Sequence, residues 1–163
     1  MPATQSNQST ATAQLNKPVL RLGSKGIAVT ELQKLLTARN AYYGAIDGIF
    51  NEEVEYAVIV FQNWVFLKED GIVGQLTWQS LYTGAPVNMP VLKRGMQGKA
   101  VVTLQNALAL TGNFQQEANG IFGPVTEAGV KSFQRRSGLL ADGIVGEKTW
   151  YGLSKFKSTL VGC

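Results

Sequence analysis

Asp70-Gly71-Ile72-Val73-Gly74, followed by Thr77-Trp78 and Leu81, returns unchanged 72 residues later as Asp142-Gly143-Ile144-Val145-Gly146, Thr149-Trp150 and Leu153. Working outward in that one register pairs Leu20 to Leu81 with Leu92 to Leu153. About 24 of about 62 pairs are identical, far more than a chance register gives. The chain is a tandem duplication. A fainter echo lies inside each copy: Asp47-Gly48-Ile49-Phe50 stands 23 residues before Asp70, and Asn119-Gly120-Ile121-Phe122 stands 23 before Asp142. Each repeat therefore holds a pair of loop-to-helix junctions of one kind.

Apolar spacing supplies the elements between the junctions. Val29, Leu32, Leu35 and Leu36 predict a helix from Ile27 to about Arg39. Val54, Ala57, Val58, Phe61 and Val65 predict a second from Glu52 to about Phe66, with Glu52, Glu53 and Glu55 placed to complement the positive end of its dipole. A short third helix from Gln75 carries Trp78 and Leu81. Repeat two follows the same plan, and Gly123-Pro124 marks a helix start because proline at the first position loses no needed hydrogen bond. The expected fold class is all-α, two tandem three-helix bundles with internal pseudo-symmetry. The expected divisions are a flexible polar segment over 1–17, a domain over 18–83, a semi-rigid linker over 84–90 containing Gly84, Pro86 and Pro90, a second domain over 91–156, and a tail over 157–163.

The junctions are read as structural. An Asp or Asn at the head of such a loop accepts from backbone N–H groups further along, and the next Gly permits positive φ. On this reading Asp47, Asp70, Asn119 and Asp142 shape turns with Gly71, Gly74, Gly143 and Gly146, and Thr77 and Thr149 bond back to the loop. The Ile-Val and Ile-Phe pairs are expected to point inward, and Trp78 and Trp150 to lie in the core. Paired carboxylates can hydrolyse glycosides, but Asp70 and Asp142, like Glu55 and Glu127, recur together with their scaffold. No catalytic residue is assigned.

Composition narrows the classes further. There is no histidine, so imidazole-based metal sites and His-dependent nucleophiles are not expected. Neither metal nor cofactor is assigned. The net charge is +4 with the basic residues scattered, and the aromatic-basic patterns of nucleic-acid readers are missing, so nucleic acid is not an expected partner. Cys163 is the single cysteine and reads as an incidental thiol. No apolar run reaches the length of a membrane span or a signal-peptide core. Synthesis in the cytoplasm is expected.

The string Leu-x-x-Gly-x-x-Gly-x-x-Val-x-x-Leu-Gln, then Asp/Asn-Gly-Ile-Phe, then Phe-Gln, then Asp-Gly-Ile-Val-Gly-x-x-Thr-Trp-x-x-Leu resembles the type 1 peptidoglycan-binding domain, over both repeats from about Val19 to Ser154. The resemblance implies a three-helix module that tethers cell-wall hydrolases to peptidoglycan without doing chemistry. Non-catalytic peptidoglycan binding is the leading expectation. The alternative is a structural or adaptor part of a larger assembly that uses the fold for protein contacts. Sugar rings stack on aromatics, while muropeptide carboxylates and amides prefer Arg, Lys, Asn and backbone donors. The candidate ligand residues are accordingly Tyr42, Tyr43, Asn51, Phe114, Gln115, Arg135 and Arg136. Repeat one departs from repeat two in having Asn51-Glu52 for Gly123-Pro124 and Val54 for Thr126. It also has Trp64 and Phe66 for Arg136 and Gly138, which supply either extra core or a protein-contact face. Repeat two is expected to be the more regular wall-binding module.

Overall fold

The structure is a computed structural model and describes residues 16–161. The polar leader up to residue 15 and Cys163 lie outside the described residues. The chain divides into two compact units between Val87 and Asn88. Helices α1 (Ile27–Ala38), α2 (Glu52–Trp64) and α3 (Gln75–Thr83) build the first, and α4 (Lys99–Leu110), α5 (Pro124–Arg136) and α6 (Glu147–Val161) build the second. No strand occurs among the described residues, so each unit is all-α.

In repeat one, α1 buries Val29, Leu32 and Leu36, and α2 buries Val54, Ala57, Val58 and Phe61. Trp78 and Leu81 of α3 close the core from the third side, both fully buried. Each buried aliphatic or aromatic side chain of this kind contributes about 1.5–3 kcal/mol. Leu35, expected among them, is only partly buried against the cluster. The segment before α1 ties the junctions together. Leu20 exchanges both backbone hydrogen bonds with Val73 (3.1 and 2.8 Å), and Gly23 N and Gly26 N donate to Phe50 O and Gly48 O (both 2.9 Å). Repeat two repeats the lacing: Leu92 with Val145, Gly95 with Phe122, and Gly98 with Gly120.

The helix ends follow local chemistry. Asn51 accepts from Val54 N at 3.0 Å and caps α2, whose first turn holds three glutamates. Pro124 opens α5, and Arg135 and Arg136 sit in its last turn, where cations offset the negative end of the dipole. α3 stops at Gly84, left-handed at φ 73°, whose N–H reaches Ser80 O at 2.7 Å. Arg39 donates to the carbonyls of Leu81 and Tyr82 at 2.9 and 3.0 Å and completes that terminus. α6 meets no such stop. It runs on through Lys155 and Lys157 to Val161, so the segment read as a tail from residue 157 is helical over its described part. The cause is the sequence after Leu153, which has no Gly or Pro before Val161, whereas repeat one has Gly84 and Pro86.

Candidate functional site

Four buried glutamines, one per junction, organise the loops. Gln62 Nε2 of α2 donates to Asp70 Oδ1 (3.1 Å) and Ile72 O (3.0 Å) and lies 3.2 Å from Thr77 Oγ1, its two hydrogens shared among the three oxygens, and its own Oε1 accepts from Gly71 N (3.0 Å). Gln134 makes the same set with Asp142, Ile144, Thr149 and Gly143. Gln105 holds Asn119, Ile121, Thr126 and Gly120 in like manner. Gln33 holds Asp47, Ile49 and Gly48, but Val54 leaves it no hydroxyl. Its amide has just two hydrogens, and Asp47 Oδ1 and Ile49 O take both. The Asx oxygen in each loop also accepts from the Ile N–H two residues on, at 2.9–3.1 Å. Asp47 is held below the usual carboxylate range, first by the Gln33 amide and then by the Ile49 N–H.

The isoleucines do not point inward as expected. Phe50, Val73, Phe122 and Val145 are at most 1% exposed, whereas Ile49, Ile121 and Ile144 are 44, 54 and 41% exposed and Ile72 is half-buried. Neighbouring residues of a bridge-paired, extended segment face opposite ways, so only the second of each pair can enter the core. The exposed Ile keeps its carbonyl on the glutamine.

Beside the second junction of repeat one lies a shallow cleft of about 270 Å³. It is lined by Leu67, Lys68, Asp70 and Ile72 of the α2–α3 loop, by Gly74 to Thr77 at the first turn of α3, and by the buried Gln62. That first turn has neither a side-chain cap nor an acidic residue. No group of three or more Cys, Asp or Glu side chains that could hold a metal ion occurs among the described residues.

The candidate ligand residues are scattered over this frame. Tyr42 is 2% exposed and donates to Ala45 O at 2.7 Å, and Phe114 is 5% exposed; both face the core and present no ring to a ligand. Burial pushes the Tyr42 hydroxyl up, aided by Glu53 and Asp47. Asn51 spends its side-chain oxygen on the α2 cap. Tyr43 is exposed, with its hydroxyl on Asn40 O at 3.0 Å, and Gln115, Arg135 and Arg136 are exposed. None of the seven lines the cleft. Trp64 is 5% exposed inside the repeat-one core, so of the two readings left open for it the core holds; Phe66 is half-buried at φ 62°. Trp78 and Trp150 are buried, their indole N–H groups donating to Pro18 O (2.9 Å) and Pro90 O (2.8 Å).

Sequence reading passed over the glutamines as organisers, although Leu-Gln and Phe-Gln precede every Asx-Gly-Ile. A second cluster it passed over is confined to repeat one. Lys17 pairs with Glu31 at 2.7 Å, Tyr82 donates to the same carboxylate, and the Lys17 ammonium lies 5.6 Å from the Trp78 ring centre. Lys17 and Tyr82 together hold Glu31 below the usual glutamate range. Repeat two has Met89, Thr103 and Ser154 at the corresponding places.

Two three-helix units laced by Asx-Gly-Ile loops define a tandem-repeat all-α protein. The family described as "Putative peptidoglycan binding domain" matches residues 25–81 and 97–153, and the chain belongs to that family. Among curated relatives, the N-acetylmuramoyl-L-alanine amidase CwlM of Mycobacterium tuberculosis is 32% identical over 88% of this chain and 39% of its own length. CwlL of Bacillus licheniformis, of the same description, is 33% identical over 89% of this chain and 46% of its own. The chain thus spans less than half the length of these relatives. The crystal structure of the SleB N-terminal domain shares 33% identity over 42% of this chain and 94% of that one, at a TM-score of 0.41.

Proposed function

We propose that this chain binds peptidoglycan without cleaving it and engages the polymer at the cleft beside the Asp70 loop. The observation that carries the reading is that cleft: an open recess of mixed polar and apolar lining, set on a rigid hydrogen-bonded loop in a unit of the peptidoglycan-binding family. The non-catalytic part is supported by the use of the recurring acids. Asp70 and Asp142 each spend one oxygen on a buried glutamine and an isoleucine N–H, and Glu127 pairs with Arg94 at 3.1 Å. These are the bonds of turns and surface pairs. The similarity to amidases that extend well beyond the matched region accords with a binding part beside other parts.

The test is incubation of the full chain with purified sacculi, followed by pelleting and chromatography of the supernatant. The chain is expected in the pellet with no soluble muropeptides released. Protein left in the supernatant removes the binding claim, and released muropeptides remove the non-catalytic one.

A further inference from the structure

The lining of the repeat-one cleft discriminates between the parts of a wall polymer. None of its residues is aromatic, so it offers no flat face on which a sugar ring can stack. It offers three aliphatic side chains (Leu67, Ile72, Leu76), a carboxamide (Gln75) and two opposite charges (Lys68, Asp70). Lys68 makes no ion pair with another described residue. Asp70 engages its loop through Oδ1, which leaves Oδ2 for a ligand. At about 270 Å³ the recess is also smaller than the roughly 300–1,000 Å³ of drug-sized sites, which suits a short segment and not several sugar rings.

We infer that this cleft takes the peptide stem of the polymer and not its glycan strand: Lys68 pairs with a stem carboxylate, Asp70 Oδ2 accepts from a stem N–H, and Leu67, Ile72 and Leu76 cover its alkyl groups. The inference rests on the wall-binding reading and adds which part is read and by which repeat. Repeat two has Leu140 in place of Lys68 and Glu147 in place of Gln75, so the cation is lost and an acid stands near where the carboxylate would sit. Repeat one is therefore the stem-reading unit, contrary to the expectation that repeat two is the regular wall binder.

The experiment is an amide-shift titration of the full 15N-labelled chain with a stem tetrapeptide bearing a free C-terminal carboxylate, its C-terminal amide, and glycan strands stripped of peptide. The free-carboxylate peptide is expected to move the amides of Gly71, Ile72, Gln75 and Leu76, and the amide form to bind about fivefold more weakly, the size of one exposed ion pair. Lys68→Ala is expected to erase that difference. Glycan strands moving the same amides, equal shifts at Gly143 to Lys148, or a carboxylate preference that survives Lys68→Ala would each overturn the inference. Pelleting on sacculi separates the two readings. A chain that pellets but ignores the stem peptide loses this inference and keeps wall binding; one that does not pellet loses both.

Discussion

Gln134 shows how much one side chain can hold. Its amide closes the loop from Asp142 to Thr149 from inside the core, and a methionine there leaves Gly143 N buried and Ile144 O partly shielded beside a thioether that cannot replace the bonds. At about 1–3 kcal/mol for the buried N–H and less for the partly shielded carbonyl, Gln134→Met is expected to cost about 2–4 kcal/mol in urea unfolding. Ser80 is the opposite case: its hydroxyl is fully buried with no hydrogen-bond partner among the described residues. Ser80→Ala is expected to be neutral or to stabilise by up to about 1 kcal/mol, read from the same curves. Glu31 gives a pH signature. Its folded pKa is depressed, so its contribution is present above the ordinary glutamate value of about 4.3 and is lost as the pH falls through the lower folded value. The urea midpoint of wild type is expected to exceed that of Glu31→Gln at pH 7, with the gap closing as the pH falls below the ordinary glutamate range. The Asx turns were legible because Asp-Gly-Ile recurs four times in near-identical form, once with Asn. The orientation of the Ile was not, since an apolar residue beside a core residue carries no mark of which way an extended segment turns it.

Helix positions were legible from apolar period and punctuation, and the ends less so. α3 and α6 start from the same Gly-x-x-Thr-Trp string, yet α3 spans 9 residues and α6 15. The short one owes its end to Gly84 and to Arg39, which arrives from α1 and could not be paired with α3 by spacing alone. Arg39→Ala is expected to fray the last turn of α3, seen as faster amide exchange at Leu81 to Gly84, and to cost about 1 kcal/mol. A second difference between the repeats lies in the middle helix. Ala57 is buried in α2, but the matching residue of α5 is Gly129, where an added Cβ would sit 2.4 Å from the carbonyl oxygen of Asn113. Alanine favours helix, but that carbonyl belongs to backbone and cannot swing away. Gly129→Ala is expected to destabilise repeat two by about 1–3 kcal/mol in thermal unfolding. The candidate binding residues were the least legible part. Tyr42 and Phe114 read as aromatics near loops, and both are core because the α1–α2 and α4–α5 connections need an apolar plug. The cleft is formed by Leu67, Lys68 and Gln75, unremarkable residues that only the folded loop brings together.

The molecule as a whole repeats one scaffold and varies its surface. The glutamine-held loops, the buried tryptophans and the lacing before the first helix of each unit recur in both repeats, while Lys68, the Lys17–Glu31–Tyr82 cluster and the Arg39 cap belong to repeat one alone. Such a division accords with the proposal that the ligand site lies in repeat one. The measurement that bears on this most directly is the binding isotherm of the full chain on purified sacculi at physiological ionic strength, wild type beside Lys68→Glu. The expected result is saturable binding by wild type, weakened at least fivefold by the charge reversal at unchanged unfolding temperature. Unsaturable binding, no binding, or equal isotherms for the two proteins would contradict a wall-binding site at the repeat-one cleft.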